Sequence, residues 1–111
     1  MFDLTGPFGW ETIPPERLQE MLDFLRVMEG RTPFEIFDAP GNRQTRGRGK
    51  FIPTDNLTRD AVRRLQDLGQ DDIDGLWEIR KAYAKRVWGS RQGRVFHLLW
   101  WDPYHKVCTS N

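Results

Sequence analysis

Seven side chains in the last third of the sequence have the types that phosphodiester chemistry uses: Glu78, Arg80, Arg86, Trp88, His97, Trp101 and His105. Arginine holds a phosphate bidentately and stabilises the charge added in a transition state. A carboxylate and an imidazole act as base and acid. Tryptophan gives an unstacked base a platform. His97 and His105 are too few and too separated for a metal site, and no acidic cluster lies at ligand spacing, so neither metal nor cofactor is expected. Cys108 is the single cysteine, and on that count both an internal disulfide and a cysteine-based zinc site are expected to be excluded.

Whether these side chains meet depends on one hairpin. Gln92-Gly93 reads as its two-residue turn, with glycine where positive φ is needed. Val87 then lies opposite Leu98, Gly89 opposite Phe96, Trp88 opposite His97 and Arg86 opposite Leu99. Val87, Phe96, Leu98 and Trp100, with Trp77 and Ile79 of the preceding strand, form the face turned to the core. The other face presents Glu78, Arg80, Arg86, Trp88, His97 and Trp101 as one candidate site. Its bland alternative is an ordinary exposed face holding a few Arg–Glu pairs and aromatic contacts. A slip of one residue exchanges the faces.

The elements that must position this face follow from the periodicity. Residues 1–9 read as an irregular lead-in. Pro14 and Pro15 suit a helix start. Leu18, Met21, Leu22, Leu25 and Met28 form an apolar stripe that Gly30 closes. Thr32-Pro33-Phe34-Glu35 has capping-box spacing for a short second helix, although Phe34, Ile36 and Phe37 could equally make a strand. Thr54 or Thr58 caps a further helix carrying Leu57, Ala61, Leu65 and Leu68, which Gly69 stops. From Leu76 the period becomes two, with strands at about 76–80, 85–91, 94–101 and 105–108 and a turn opening at Asp102-Pro103. The expected fold is α+β, with N-terminal helices packed on a C-terminal antiparallel β-meander.

The chain has 111 residues, enough for a single domain with one modest core, and its five tryptophans exclude wholesale disorder. The net charge of +1 hides a segregation: residues 1–40 carry −5, 41–50 carry +4, 51–75 carry −3 and 76–111 carry +5. This divides the domain into an acidic helical part (1–40), a basic flexible loop (41–50) and a helix-plus-sheet part (51–111). A basic rear favours an anionic partner, unless the halves simply neutralise each other. Arg43, Arg46, Arg48 and Lys50 of the loop, with Arg91, Arg94, Trp88 and Trp101 on the hairpin, are the candidate nucleic-acid contacts. No apolar run approaches the ~20 residues of a membrane helix, and the acidic, proline-containing start lacks signal-peptide character. A cytoplasmic protein without a membrane partner is expected.

The segments Leu76-Trp77-Glu78-Ile79-Arg80, Arg86-Val87-Trp88 and the apolar strand leading to Tyr104-His105-Lys106 resemble the RelE/ParE toxin superfamily over residues 55–108. The ending also looks like that of small uncharacterised bacterial proteins. The resemblance implies ribosome-bound mRNA as substrate, metal-independent cleavage by 2′-hydroxyl attack, and a neutralising antitoxin as protein partner. On it, Arg86 and Arg80 hold phosphate, His105 or His97 is the acid, and Glu78, chosen by face, is the base. ParE-like members are not ribonucleases. The alternative is therefore a non-catalytic binding module on the same fold, such as a phage- or plasmid-encoded inhibitor or a nucleic-acid-binding accessory protein.

Overall fold

The computed structural model describes residues 2–29, 49–82 and 85–109. The expected short helix at 32–37 and the basic positions Arg43, Arg46 and Arg48 lie outside these. Among the described residues the fold is α+β. Helix α1 spans Pro15–Glu29 and helix α2 spans Arg59–Asp67. Strands β1 (Gly49–Pro53), β2 (Gly75–Ala82), β3 (Lys85–Gln92) and β4 (Val95–Asp102) form an antiparallel sheet of order β1-β2-β3-β4. No helix is long and apolar enough to cross a membrane among these residues.

The two helices cover opposite faces of the sheet, not one face as the periodicity suggested. Ala61 and Leu65 of α2 pack with Leu76, Trp88, Leu99 and Trp100. Met21, Phe24 and Met28 of α1 pack with Ile79, Val87 and Trp101. Val87 and Trp88 are adjacent in one strand and so point to opposite faces. On α1 the buried stripe runs through Met21, Phe24 and Met28, while Leu18 and Leu22 are exposed.

Three expectations about the sheet are corrected. Gly49 and Lys50 belong to strand β1, which pairs with β2 through Lys50 opposite Glu78 and Ile52 opposite Leu76. Residues 105–108 make no strand and contribute only a bridge between Leu57 and Cys108. Pro103, which has no N–H to donate, follows β4, so the sheet gains its fourth strand at the β1 edge. The hairpin turn is Gly93-Arg94, with Gln92 opposite Val95. Gly93 at φ 60° takes the first central position; a turn at Gln92-Gly93 would ask a non-glycine residue for positive φ.

The register is shifted once more within the hairpin. Gly89 pairs with Leu98 but Trp88 pairs with Trp100, which leaves Leu99 as the extra residue of a β-bulge. The bulge turns Trp100 to the α2 face and Trp101 to the α1 face, and both rings are buried. The extra carbonyl is not orphaned, since Leu99 O accepts from the Trp10 indole at 3.1 Å and from Asp3 N at 3.3 Å. Glycine is required at 89, where a Cβ would lie 2.1 Å from His97 O.

Asp3 shows why the irregular N-terminal segment is structural. It is 2% exposed and receives Arg64 Nε at 2.9 Å, Arg64 Nη2 at 2.8 Å, the Trp100 indole at 2.8 Å and Gly6 N at 3.2 Å. One carboxylate thus ties the lead-in to α2 and to β4. The Arg64 guanidinium holds the Asp3 carboxyl below its usual range against the opposing effect of burial, with help from Trp100 and Gly6. A depressed folded-state value means that the stabilisation is complete above the ordinary carboxylate pKa of ~3.9 and is lost as pH falls through the folded value. Asp3→Asn is expected to cost about 2–3 kcal/mol at neutral pH, because buried donors lose their acceptor. In urea titrations the gap between wild type and variant should narrow as pH falls below about 4. A gap that persists unchanged in acid would show that the charge contributes nothing.

Candidate functional site

The end of β4 and the turn after it bring together three of the residues chosen from sequence, Glu78, Arg86 and His105. Asp102 is buried, and its carboxylate accepts from Lys106 N at 2.8 Å, Val107 N at 3.2 Å and the Trp88 indole at 3.1 Å. An aspartate that bonds the backbone ahead of it closes a turn without needing secondary structure. Residues 103–106 are therefore held as a rigid loop. The segment after them is stitched to the residues before α2: Thr58 N donates to Val107 O at 2.8 Å, and Thr109 N donates to Asn56 O at 2.8 Å. Thr58 also caps α2, accepting from Ala61 N at 3.4 Å.

Within this frame lies a polar cluster in which Glu78, Arg86 and Cys108 are buried and His105 is partly exposed. Arg86 Nε donates to Glu78 Oε2 at 3.0 Å, and both side chains are less than a tenth exposed. His105 Nε2 lies 3.2 Å from Cys108 Sγ. Ligating atoms of Glu78, His105 and Cys108 all fall within 4.8 Å of one another. His105 is the one described non-glycine residue in the left-handed region, at φ 57°. Such a backbone costs on the order of 1 kcal/mol and persists where its surroundings hold it. Glu78, Arg86 and His105, chosen from sequence for acid, base and phosphate roles, do converge. Cys108 was set aside as a lone cysteine, and its three-residue spacing from His105 was the signal available.

The remaining choices separate. His97 is exposed and sits opposite Ser90, not Trp88, near the hairpin tip. Four residues of strand place Ser90 roughly 13 Å from Arg86. Arg80 is exposed, opposite Arg86 on β2. Trp88 and Trp101, expected on an open face, are buried because α2 and α1 cover the two sides. Arg91 lies over the Trp77 ring at 5.4 Å, and Arg94 is exposed in the hairpin turn. Lys50 is exposed on β1.

Beside the cluster is a cleft of about 300 Å³, floored by Phe8 and Trp101 and edged by Pro7 and Pro14. Three cations line it: Arg17 and Lys85 from α1 and β3, and Lys106 from the rigid turn. Glu20 partly neutralises the first two, at 3.1 Å from Arg17 and 2.9 Å from Lys85. Tyr104 also lines the cleft and is 75% exposed. A planar ring among cations above an apolar floor suits an anion that carries a flat group. Sequence reading placed none of Arg17, Lys85, Tyr104 or Lys106 in a site, since the cleft joins residues far apart in the chain. In comparisons with protein-family models, curated proteins and solved structures, nothing matches this chain.

Proposed function

We propose that the chain is a small RNA-binding protein of RelE-like type, which takes a single-stranded segment into the cleft beside residues 103–106. The observation that carries this reading is the meeting of Arg17, Lys85 and Lys106 around the exposed Tyr104 ring. Cations neutralise the backbone, and an aromatic ring stacks on a base with little regard to sequence. The RelE-like assignment draws support from the two motif strands lying side by side, with Glu78 opposite Trp88 and Arg80 opposite Arg86. The basic excess of residues 76–111 agrees in sign with an RNA partner.

Cleavage is the second reading, favoured by His105 standing between Tyr104 and Lys106 at the same turn. In it the 2′-hydroxyl attacks phosphorus and gives its proton to water, the bond to the 5′ oxygen breaks as His105 protonates that oxygen, and Lys106 and Lys85 hold the phosphate. Arg86 and Glu78 then act as support, because each is buried and engaged with the other. Incubation with end-labelled RNA separates the two: intact RNA bound in the cleft leaves a binding module, whereas cleavage abolished by His105→Gln makes an endoribonuclease.

Binding is tested by the salt dependence of affinity for a labelled single-stranded RNA. Changing Arg17, Lys85 and Lys106 together to glutamine should reduce the slope of log K against log salt by about 2, near 0.7 for each lost phosphate contact. Glu20→Gln should tighten binding, since it releases two cations from an internal partner. An unchanged slope in the triple variant would remove RNA from the cleft.

A further inference from the structure

We infer that Glu78, His105 and Cys108 form a three-ligand site for a zinc-class divalent ion. The inference stands apart from the RNA-binding reading and uses none of the cleft-lining residues; it competes with the cleavage reading, because a metal on His105 Nε2 takes the nitrogen that would carry the acid's proton. A thiolate, an imidazole and a carboxylate are the donors from which zinc sites are built, and three protein ligands leave the fourth position to water. Sulfur and nitrogen together select zinc and its neighbours over magnesium or calcium.

Geometry carries the assignment. With metal–sulfur near 2.3 Å and metal–nitrogen near 2.0–2.1 Å, tetrahedral ligands stand roughly 3.5 Å apart. His105 Nε2 and Cys108 Sγ are already 3.2 Å apart, and Glu78 reaches both within 4.8 Å. The three ligands come from separate parts of the chain: β2, the Asp102-closed turn, and the segment bridged to Leu57. Glu78 is held by strand pairing on both sides. The His105 turn is held by the Asp102 carboxylate on Lys106 N and Val107 N, and the Cys108 segment by the backbone bonds of Val107 and Thr109, so the shell is preorganised before any ion arrives.

Two further observations point to a ligand. Glu78 is 4% exposed, and its side chain makes one hydrogen bond among the described residues, the one from Arg86 to Oε2. Among the described residues Oε1 thus keeps acceptor capacity to spare, and a buried anionic oxygen is costly unless something satisfies it. Arg86 supplies the outer-shell hydrogen bond that ligating carboxylates normally have. His105 meanwhile holds the left-handed conformation that brings its ring to Cys108. Binding breaks the Cys108 S–H bond, forms a metal–sulfur bond and releases one proton to solvent.

The test is titration of the full chain with Co²⁺ in reducing, chelator-free buffer. One equivalent should bring up a thiolate-to-cobalt charge-transfer band and intense d–d absorption of tetrahedral type, both removed by Zn²⁺. Cys108→Ser should lose the charge-transfer band. His105→Gln should bind more than about 100-fold more weakly, beyond the ~10–100-fold cost of losing an outer-shell partner. Glu78→Gln alone strands Arg86, so Glu78 is tested with Arg86→Gln in the same chain, folding being checked by circular dichroism. No saturable band in the wild type would overturn the site. Wild-type affinity in His105→Gln would reduce it to adventitious thiol binding, and wild-type affinity in the Glu78→Gln/Arg86→Gln chain would overturn the three-ligand assignment.

Discussion

Truncating Trp88 to alanine is expected to lower the unfolding free energy by about 3–5 kcal/mol, as much as truncating Trp100. Both rings are fully buried in the same cluster, between α2 and the sheet. Trp88 packs among Leu76, Leu99 and Leu65, and its indole donates to Asp102 Oδ2 at 3.1 Å. Alanine would therefore open a cavity and also take a donor from the carboxylate that closes the turn at 103–106. Trp88→Phe, which keeps most of the ring but not the N–H, should cost nearer 1–3 kcal/mol. Urea unfolding with an unchanged m-value is the measurement. A loss below about 1 kcal/mol for Trp88→Ala would place the ring outside the core and restore it as a ligand platform.

Trp88 also shows how far the sheet is legible from sequence. Alternation along β2 and β3 assigns Trp77, Ile79 and Val87 to one face and Glu78, Arg86 and Trp88 to the other, as the structure does. It does not say that the second face is covered. That information lies in Leu98-Leu99-Trp100-Trp101, an unbroken apolar run of the kind that marks a strand buried on both sides. An antiparallel hairpin with one open face has no use for four such residues in a row. The bulge at Leu99 is harder to foresee, because its stability rests on Trp10 and Asp3, remote partners in a segment with no periodicity.

The site was legible in composition and illegible in arrangement. Glu78, Arg86 and His105 do lie in one place, yet the place is a largely buried cluster at the end of the sheet and not a solvent-facing platform. His97 fails because the two-residue shift of the hairpin carries it toward the tip. The cleft escaped notice for a different reason: Arg17 on α1, Lys85 on β3 and Lys106 after β4 share no local pattern. Only the packing of α1 against the sheet and the Asp102-closed turn bring them together.

Arg86 decides between a structural and a functional reading of the buried pair. Arg86→Met is expected to cost about 3–5 kcal/mol, because it leaves the Glu78 carboxylate buried without its partner. Glu78→Gln alone should be comparably harmful, since it strands the guanidinium. The double variant, Glu78→Gln with Arg86→Met, removes both charges and keeps most of the volume, so its cost should fall well below the sum of the singles. A coupling energy of about 2–3 kcal/mol is expected from the cycle, read from denaturant unfolding. The same three proteins then separate the roles. If the pair is structural, the double variant should bind single-stranded RNA as the wild type does, through Arg17, Lys85, Lys106 and Tyr104 on the neighbouring cleft. If a phosphate reaches Arg86, RNA affinity should instead drop in both Arg86 variants, and the drop should persist in the double variant whose fold is restored. The exposure of the side chain, less than a tenth, argues for the first outcome: a phosphate would have to displace Glu78 from a guanidinium that scarcely reaches solvent.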